Sequence, residues 1–249
     1  MKIDYIIKFF SGKVPVYSIL TDTHAHWLPG IDDGPKSVDE SLEMLKRYNQ
    51  MGFRHLIATP HIYRDYYPNT RQSIKLAFEE IQKIAKNQFP NLHLSFAAEY
   101  YLDDHFDILL KNRELLTFGV SYVLVEQGFF AETPGLNKTL FEMQIAGYQP
   151  VLAHPERYIY YHKNDTRVHS LKNSGVKFQV NLLSLAGKYG KTIAQKASKW
   201  IDQGLIDFVG TDAHHSRDLD LIRNLQLKVA WKEKLGGMDE LDFDRISTS

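Results

Sequence analysis

The chain of 249 residues contains no cysteine. That one absence excludes disulfides, thiolate metal ligands and a cysteine nucleophile together, so any bound metal must be held by His, Asp and Glu. A surplus of charge is also missing: 30 Lys and Arg balance 30 Asp and Glu, giving a formal net charge of zero. No global field therefore draws the protein to nucleic acid or to an anionic membrane. No run approaches the ~18 consecutive apolar residues of a membrane span. The segment Met1 to Phe10 is apolar but is broken by Lys2, Asp4 and Lys8, and it does not end in the small residues of a signal peptide. Repeats, linkers and low-complexity tracts are absent too. The expectation is a cytoplasmic protein with no membrane span and no nucleic-acid partner.

What is present is ordinary for a globular chain, with 43% hydrophobic and 24% charged residues. The length suits one large domain, and α/β barrels commonly reach it as a single unit. Residues 1–15 read as an N-terminal extension and residues 16–249 as the domain.

Strand and helix signals alternate along that domain. The apolar run Val16 to Leu20 reads as the first strand. Ser37-Val38-Asp39-Glu40 has the form of a capping box, after which Val38, Leu42, Leu45 and Tyr48 recur at helical spacing up to Gly52. A strand over Phe53 to Thr59 delivers Pro60-His61. The next helix starts at Asn69 or Thr70, carries Ile74, Phe78, Ile81 and Ile84 or Ala85 on one face, and is closed by Pro90. Further strands are expected over Leu92 to Ala98, Ser121 to Val125, Pro150 to Ala153, Val176 to Leu182 and Leu205 to Gly210, with helical pieces between them. Seven strands alternating with helices predict a parallel sheet with right-handed crossovers, either doubly wound or closed into a barrel.

The stretch from Asp22 to Gly34, Asp-Thr-His-Ala-His-Trp-Leu-Pro-Gly-Ile-Asp-Asp-Gly, introduces the chemistry. His24 and His26 are one residue apart, and alternate strand side chains share a face. Asp32 and Asp33 lie in a glycine-bounded loop short enough to fold back over them, and imidazole with oxygen ligands suits Zn, Mn or Fe. A lone His-x-His is common by chance. Here, however, His24, His26, His61, Glu99, Glu126, His154, Asp212 and His214 all fall at or just beyond the C-terminal ends of six expected strands. In a closed parallel barrel those ends form one face, where active sites are built. With Asp33 the set exceeds what one ion can use, so two or three ions are implied. Clustered ions share a bridging hydroxide and stabilise the attacking and leaving oxygens of an in-line displacement, which points to hydrolysis, phosphate esters first. The remaining histidines, His55, His93, His105, His162, His169 and His215, show no such regularity and read as surface or loop residues.

The motifs Asp-Thr-His-Ala-His-Trp-Leu-Pro-Gly-Ile-Asp-Asp-Gly, Ala-Thr-Pro-His at 58–61, Ala-Ala-Glu-Tyr-Tyr at 97–101, Val-Leu-Val-Glu at 123–126, Leu-Ala-His-Pro-Glu-Arg-Tyr at 152–158 and Gly-Thr-Asp-Ala-His at 210–214 run in order from about Thr21 to about Ile222. The chain resembles the polymerase and histidinol phosphatase (PHP) family, and within it the bacterial manganese-dependent protein-tyrosine phosphatases of capsule and exopolysaccharide systems. The resemblance implies a distorted (β/α)7 TIM-like barrel binding two to three divalent ions, manganese first, with iron or zinc as alternatives. Carried over position by position, the metal ligands are His24, His26, Asp33, His61, Glu99, Glu126, His154, Asp212 and His214. Either Glu99 or Glu126 bridges two ions.

Arg157 takes the place of the family's phosphate-contacting group, and a planar guanidinium can pair two phosphoryl oxygens. Arg64 and Arg217 are weaker candidates outside the catalytic set. Asp212 or His214 would return a proton to the leaving group, a tyrosine phenolate that needs little help because its conjugate acid has a pKa near ~10. The implied substrate is a tyrosine-phosphorylated protein, the tail of a bacterial tyrosine kinase. Two other readings stand beside it: a small-molecule phosphatase such as histidinol phosphatase, and a non-catalytic metal-binding scaffold. Ten aromatic residues around the site, Tyr63, Tyr66, Tyr67, Tyr100, Tyr101, Phe129, Phe130, Tyr158, Tyr160 and Tyr161, read equally as a flat peptide-binding surface or as rim packing.

Overall fold

The computed structural model describes residues 13–15 and 19–235. Its strands are β1 (Lys13–Pro15), β2 (Thr21–Ala25), β3 (His55–Ala58), β4 (His61–Ile62), β5 (His93–Phe96), β6 (Glu99–Tyr101), β7 (Tyr122–Glu126), β8 (Gln149–Ala153), β9 (Lys177–Asn181), β10 (Phe208–Gly210) and β11 (Gln226–Lys228). Its helices are α1 (Val38–Gln50), α2 (Arg71–Gln88), α3 (Asp104–Asn112), α4 (Leu136–Ile145), α5 (Asp165–Asn173), α6 (Leu182–Leu185), α7 (Lys191–Asp202), α8 (Ser216–Arg223) and α9 (Val229–Leu235). Apart from β1 with β11, which pair antiparallel, all strand pairs are parallel, as a chain alternating strand and helix requires. Besides that pair there are two parallel sheets, one running β2-β3-β5 and the other β10-β9-β8-β7-β6-β4.

The two sheets are one curled surface interrupted twice. β3 stops at Thr59-Pro60 and resumes as β4, and β5 stops at Ala97-Ala98 and resumes as β6. Neighbours stay bonded across the breaks, since Ala97 N donates to Ala58 O at 2.7 Å and Glu99 N to Pro60 O at 3.1 Å. At the other side, Asp212 N donates to His24 O at 2.8 Å and His26 N to Ala213 O at 3.0 Å, so β2 lies against the segment that leaves β10. The sheet interior is built of runs such as Val123-Leu124-Val125 and Val151-Leu152, all fully buried, the pattern of parallel strands covered on both faces. Helix α2 is capped by Thr70 and buries Ile74, Phe78, Ile81 and Ala85, as its periodicity predicts. Each large apolar side chain so buried contributes about 1.5–3 kcal/mol. No helix among the described residues is long and apolar enough to cross a membrane.

Some expectations need correction. Of the first expected strand, residues 16–18 lie outside the described residues, and the strand found is Thr21–Ala25, so His24 stands within it rather than past its end. Hydropathy misplaces this strand because Thr21, Asp22, Thr23 and His24 are polar yet 0% exposed. Their partners make that burial tolerable. Asp22 Oδ1 accepts from the amides of His24 and Thr211, Asp22 Oδ2 accepts from the Thr211 hydroxyl, and the Thr23 hydroxyl donates to Val209 O. The capping box at Ser37 is half formed: the Ser37 hydroxyl accepts from Glu40 N, but the Glu40 carboxylate accepts from Lys36 N instead of Ser37 N. His55, expected on the surface or in a loop, is half-buried in β3, whereas His93 is exposed as expected although it lies in β5, and the two rings stack 4.9 Å apart. Residues 1–12 of the expected extension lie outside the described residues.

Gly210 is what lets β10 approach β2. A Cβ there would lie 2.4 Å from His24 Cβ and 2.9 Å from His24 N. Gly210→Ala is therefore expected to destabilise the protein by about 1–3 kcal/mol through overpacking, measured as a lowered urea midpoint at unchanged slope.

Candidate metal centre

Five imidazoles and four carboxylates converge at the C-terminal ends of the parallel strands. His24 is delivered by β2 and His26 follows it, while His61 opens β4 and Glu99 opens β6. Glu126 ends β7, His154 follows β8, and Asp212 and His214 follow β10. They fall into four overlapping groups in which one ligand atom per residue lies within 4.8 Å of the others: His26, Asp33, His61 and His214; His24, Glu99 and His154; His24, His26 and Asp212; His61, Glu99 and Glu126. All nine residues named from the sequence are in these groups, and among the described residues no other joins them.

Two of the nine sit on left-handed backbone. His154 has φ 34° and Asp212 has φ 55°. For residues with a side chain this costs about 1–3 kcal/mol each, strain that tends to be stored where it aims a functional group. The turn at His154 opens a short 3-10 helix, Pro155–Arg157, and so carries Arg157 round to the same bowl. Buried Glu156 holds that turn to β9, its Oε1 accepting from Asn181 N at 3.0 Å and from the Ser184 hydroxyl at 2.7 Å.

The histidines are oriented from behind. His26 Nδ1 bonds Asp32 Oδ2 at 2.7 Å, His24 Nδ1 bonds Gln179 Oε1 at 2.9 Å, and His214 Nδ1 bonds the Asp212 carbonyl at 3.0 Å. With Nδ1 donating in each, the lone pair is on Nε2, the arrangement of metal-ligating imidazoles. The Nε2 atoms of His24 and His26 lie 3.1 Å apart. Glu99 Oε2 lies 3.1 Å from His24 Nε2, 3.2 Å from His61 Nδ1 and 3.4 Å from His26 Nε2, yet neither Glu99 Oε2 nor His61 Nδ1 has a hydrogen-bond partner among the described residues. Fully buried polar atoms, close together but misaligned for bonding to one another, fit a shared cation between them. The donor set of nitrogen and oxygen matches divalent transition metals.

The electrostatics agree. Burial opposes ionisation, but it is outweighed by the mutual field. Glu99 is held well below the usual carboxylate range by His24, His61 and His154. Asp212 is lowered by His24 and Arg157, and Asp33 by His214. Against the same burial, Asp32 raises His26 well above its ordinary value, and Glu99 with Glu126 raises His61 to about 9.

A cavity of about 730 Å³ lies over the cluster, lined by members of it and by Phe129, Arg157, Lys188, Tyr189 and Arg217. Arg157 Nη1 donates to Asp212 Oδ2 at 2.8 Å, and its guanidinium carbon lies 4.6 Å from the Phe129 ring and 4.2 Å from the Tyr189 ring. Asp212 Oδ2 also accepts from Asn181 Nδ2 at 2.6 Å and from the Tyr189 hydroxyl at 3.3 Å. The chain His24–Gln179–Asn181–Asp212 is continuous, because Gln179 Nε2 donates to Asn181 Oδ1 at 2.9 Å. Sequence reasoning missed Gln179, Asn181, Tyr189 and the orienting role of Asp32. A signal for the first two exists: β9 ends in no metal-type residue, yet two amides alternate with Phe178 and Val180 along it, and both are fully buried.

Fold and site define a class, a curled parallel α/β sheet bearing a His/Asp/Glu cluster of metal-ligand type at its strand ends. The chain belongs to the CpsB/CapC family, described as capsular polysaccharide synthesis, which matches residues 20–229. It is 31% identical over 216 residues to the tyrosine-protein phosphatase YwqE of Bacillus subtilis (strain 168), covering 86% of this chain and 85% of that one. It is 29% identical over 203 residues to the tyrosine-protein phosphatase CpsB of Streptococcus pneumoniae, covering 79% and 83%. A crystal structure from work on YwqE and CpsB, described as unique metal-dependent tyrosine phosphatases, is similar at TM-score 0.78 and 27% identity, over 91% of this chain and 95% of the other. An amidohydrolase from Mycoplasma synoviae shares the fold alone, at TM-score 0.51 and 13% identity over 94% and 85%.

Because His26 and His61 are raised, they carry protons near neutral pH that a metal must displace. Divalent-ion binding is expected to release protons at pH 7.5 and to weaken as pH falls from about 9 toward 6. Calorimetric titration in buffers of different ionisation enthalpy checks this.

Proposed function

We propose that the protein is a metal-dependent protein-tyrosine phosphatase whose substrate is a tyrosine-phosphorylated protein, the tail of a bacterial tyrosine kinase of polysaccharide export. The observation that carries this reading is the gathering of all nine ligand-type residues and Arg157 around one cavity, in a chain whose relatives are tyrosine-protein phosphatases. The fold is read as a distorted (β/α)7 barrel of the PHP type. The seven parallel strand positions in chain order, with β2 bonded back to the segment after β10, support it. Residues 16–249 form the single domain of a cytoplasmic protein.

His24, His26, Asp33, His61, Glu99, Glu126, His154, Asp212 and His214 would hold two to three ions, manganese first by the family resemblance, while iron and zinc accept the same ligands. Four carboxylates among the nine balance two divalent ions charge for charge, and a third would be matched by a phosphate dianion. Glu99 belongs to two of the groups and Glu126 to one, so Glu99 is the carboxylate that would serve both. When bound, such ions lower the pKa of water to supply a nucleophile and offset charge on the attacking and leaving oxygens.

The chain's own groups do the positioning. Asp212 accepts one N–H of Arg157 and the rings of Phe129 and Tyr189 hold the guanidinium, so its other donors serve the phosphoryl oxygens. Asp212, which accepts from Arg157, Asn181 and Tyr189, stays ionised and does not serve as the acid. His214 would serve as the acid only when it holds no ion, because its Nδ1 is bonded to the Asp212 carbonyl and its Nε2 is then the one group free to carry a proton. A phenolate leaving group needs little help from an acid.

The test is phosphate release from a phosphotyrosine peptide with manganese, comparing the native protein with His154→Ala and Arg157→Ala and running histidinol phosphate beside it. Each variant is expected to lose about 10²–10³-fold in kcat/KM on the peptide. Cleavage of histidinol phosphate alone would move the function to small molecules. A stoichiometric metal-dependent complex without turnover would make the protein a scaffold.

A further inference from the structure

The aromatic residues around the site divide by what they touch. Tyr100, Tyr158 and Tyr161 are buried in the core and are packing. Phe129 lines the cavity and is committed to Arg157, yet remains 39% exposed. Phe130, its neighbour and hence one ~3.8 Å backbone step further on, is 98% exposed. A phenylalanine this exposed has no packing role in the free protein.

The aromatic surface continues from there. The Tyr160 hydroxyl donates to Gly128 O at 3.1 Å, and a Cβ on Gly128 would lie 3.2 Å from the Tyr101 hydroxyl, so both rings flank the segment that carries Phe129 and Phe130. Tyr101 stacks on Tyr63 at 4.1 Å, and Tyr63 meets Tyr66, 69% exposed, at 4.8 Å. Elsewhere the cavity is lined mainly by charged and polar groups, Lys188, His215, Arg217 and Asp218, with Tyr189 and the half-exposed Leu221 among them. The run from Phe129 and Phe130 past Tyr101 and Tyr63 to Tyr66 is the extended aromatic rim of the mouth, and it is continuous with the wall of the catalytic cavity through Phe129.

We propose that this rim, with Phe130 as its anchor and Tyr66 at its far end, docks the substrate chain beside the phosphotyrosine, selecting apolar or aromatic side chains within two or three residues of the target. The inference rests on the phosphatase reading and names the chemistry of its protein partner. A free small molecule is held by the cluster and Arg157. A peptide continues out of the cavity past Phe129, and its next side chains meet Phe130. Burying one phenyl ring against such a residue is worth roughly a tenfold or larger change in affinity. Tyr and Phe rings suit the purpose because they offer large contact area with few rotatable bonds to freeze.

The experiment uses the manganese-loaded full chain, two matched phosphotyrosine peptides, one flanked by Leu and Tyr and the other by Ser and Gly, and p-nitrophenyl phosphate as reference. The native protein is expected to show a KM at least about tenfold lower for the apolar-flanked peptide, with similar kcat. Phe130→Ala, alone and with Tyr66→Ala, should erase that preference while turnover of p-nitrophenyl phosphate stays unchanged. The proposal is overturned if the native protein shows no preference, if the variants keep it, or if p-nitrophenyl phosphate turnover falls in parallel. It is equally overturned if Phe130→Ala alters the sedimentation of the protein and not its KM, which would give the ring to contact between copies of the chain. Hydrolysis of p-nitrophenyl phosphate with neither peptide cleaved would sink the protein-phosphatase reading itself. Cleavage of both peptides with equal KM would sink the docking rim alone.

Discussion

Glu99 has no exposed surface, and its two oxygens face four imidazoles: His154 at 3.0 Å from one, and His24, His61 and His26 at 3.1–3.4 Å from the other. An ionised carboxylate so deep costs several kcal/mol unless cations surround it. Here the compensation is spread over four histidines carried by β2, β4 and the segments after β2 and β8. Protons supply it in the free protein, which is why His26 and His61 are raised. Divalent ions would supply it with greater charge in the same space, and every ligand-type residue of the bowl is arranged around that exchange.

The rest of the fold keeps those groups in place. β2 is polar and still buried, because Asp22 and Thr211 tie it to the chain leaving β10. Gly210 lets that chain come within contact of His24. Left-handed turns at His154 and Asp212 point two ligands inward at some cost in strain, and the amides of β9 relay hydrogen bonds from one to the other side of the cluster. These features weaken local preferences at the strand ends, and the apolar strands and helices beneath them supply the stability.

That division explains what could be read from residues alone. Periodicity locates α2 because Ile74, Phe78, Ile81 and Ala85 fall on one helical face. Eight of the nine ligand-type residues were legible because the expected strands are short, repeat regularly and six of them end in a chemically unusual side chain, and Asp33 because it lies in the glycine-bounded loop beside the first pair. β2 was not legible at its true position, since its burial depends on Thr211, 189 residues away from Asp22. The breaks between β3 and β4 and between β5 and β6 leave no hydropathy signal, because bonding to neighbours continues through them. Gln179, Asn181, Tyr189 and Asp32 orient other groups, and a residue that acts through another carries no motif of its own.

The most direct test of this account is anomalous diffraction at the manganese edge from crystals of the manganese-loaded protein. The account predicts two or three peaks inside the bowl, each within ligand distance of members of the nine, with Glu99 touching two of them and Asp32 touching none. A bowl without peaks, or manganese bound elsewhere while Glu99 and His61 keep their present positions, would contradict it.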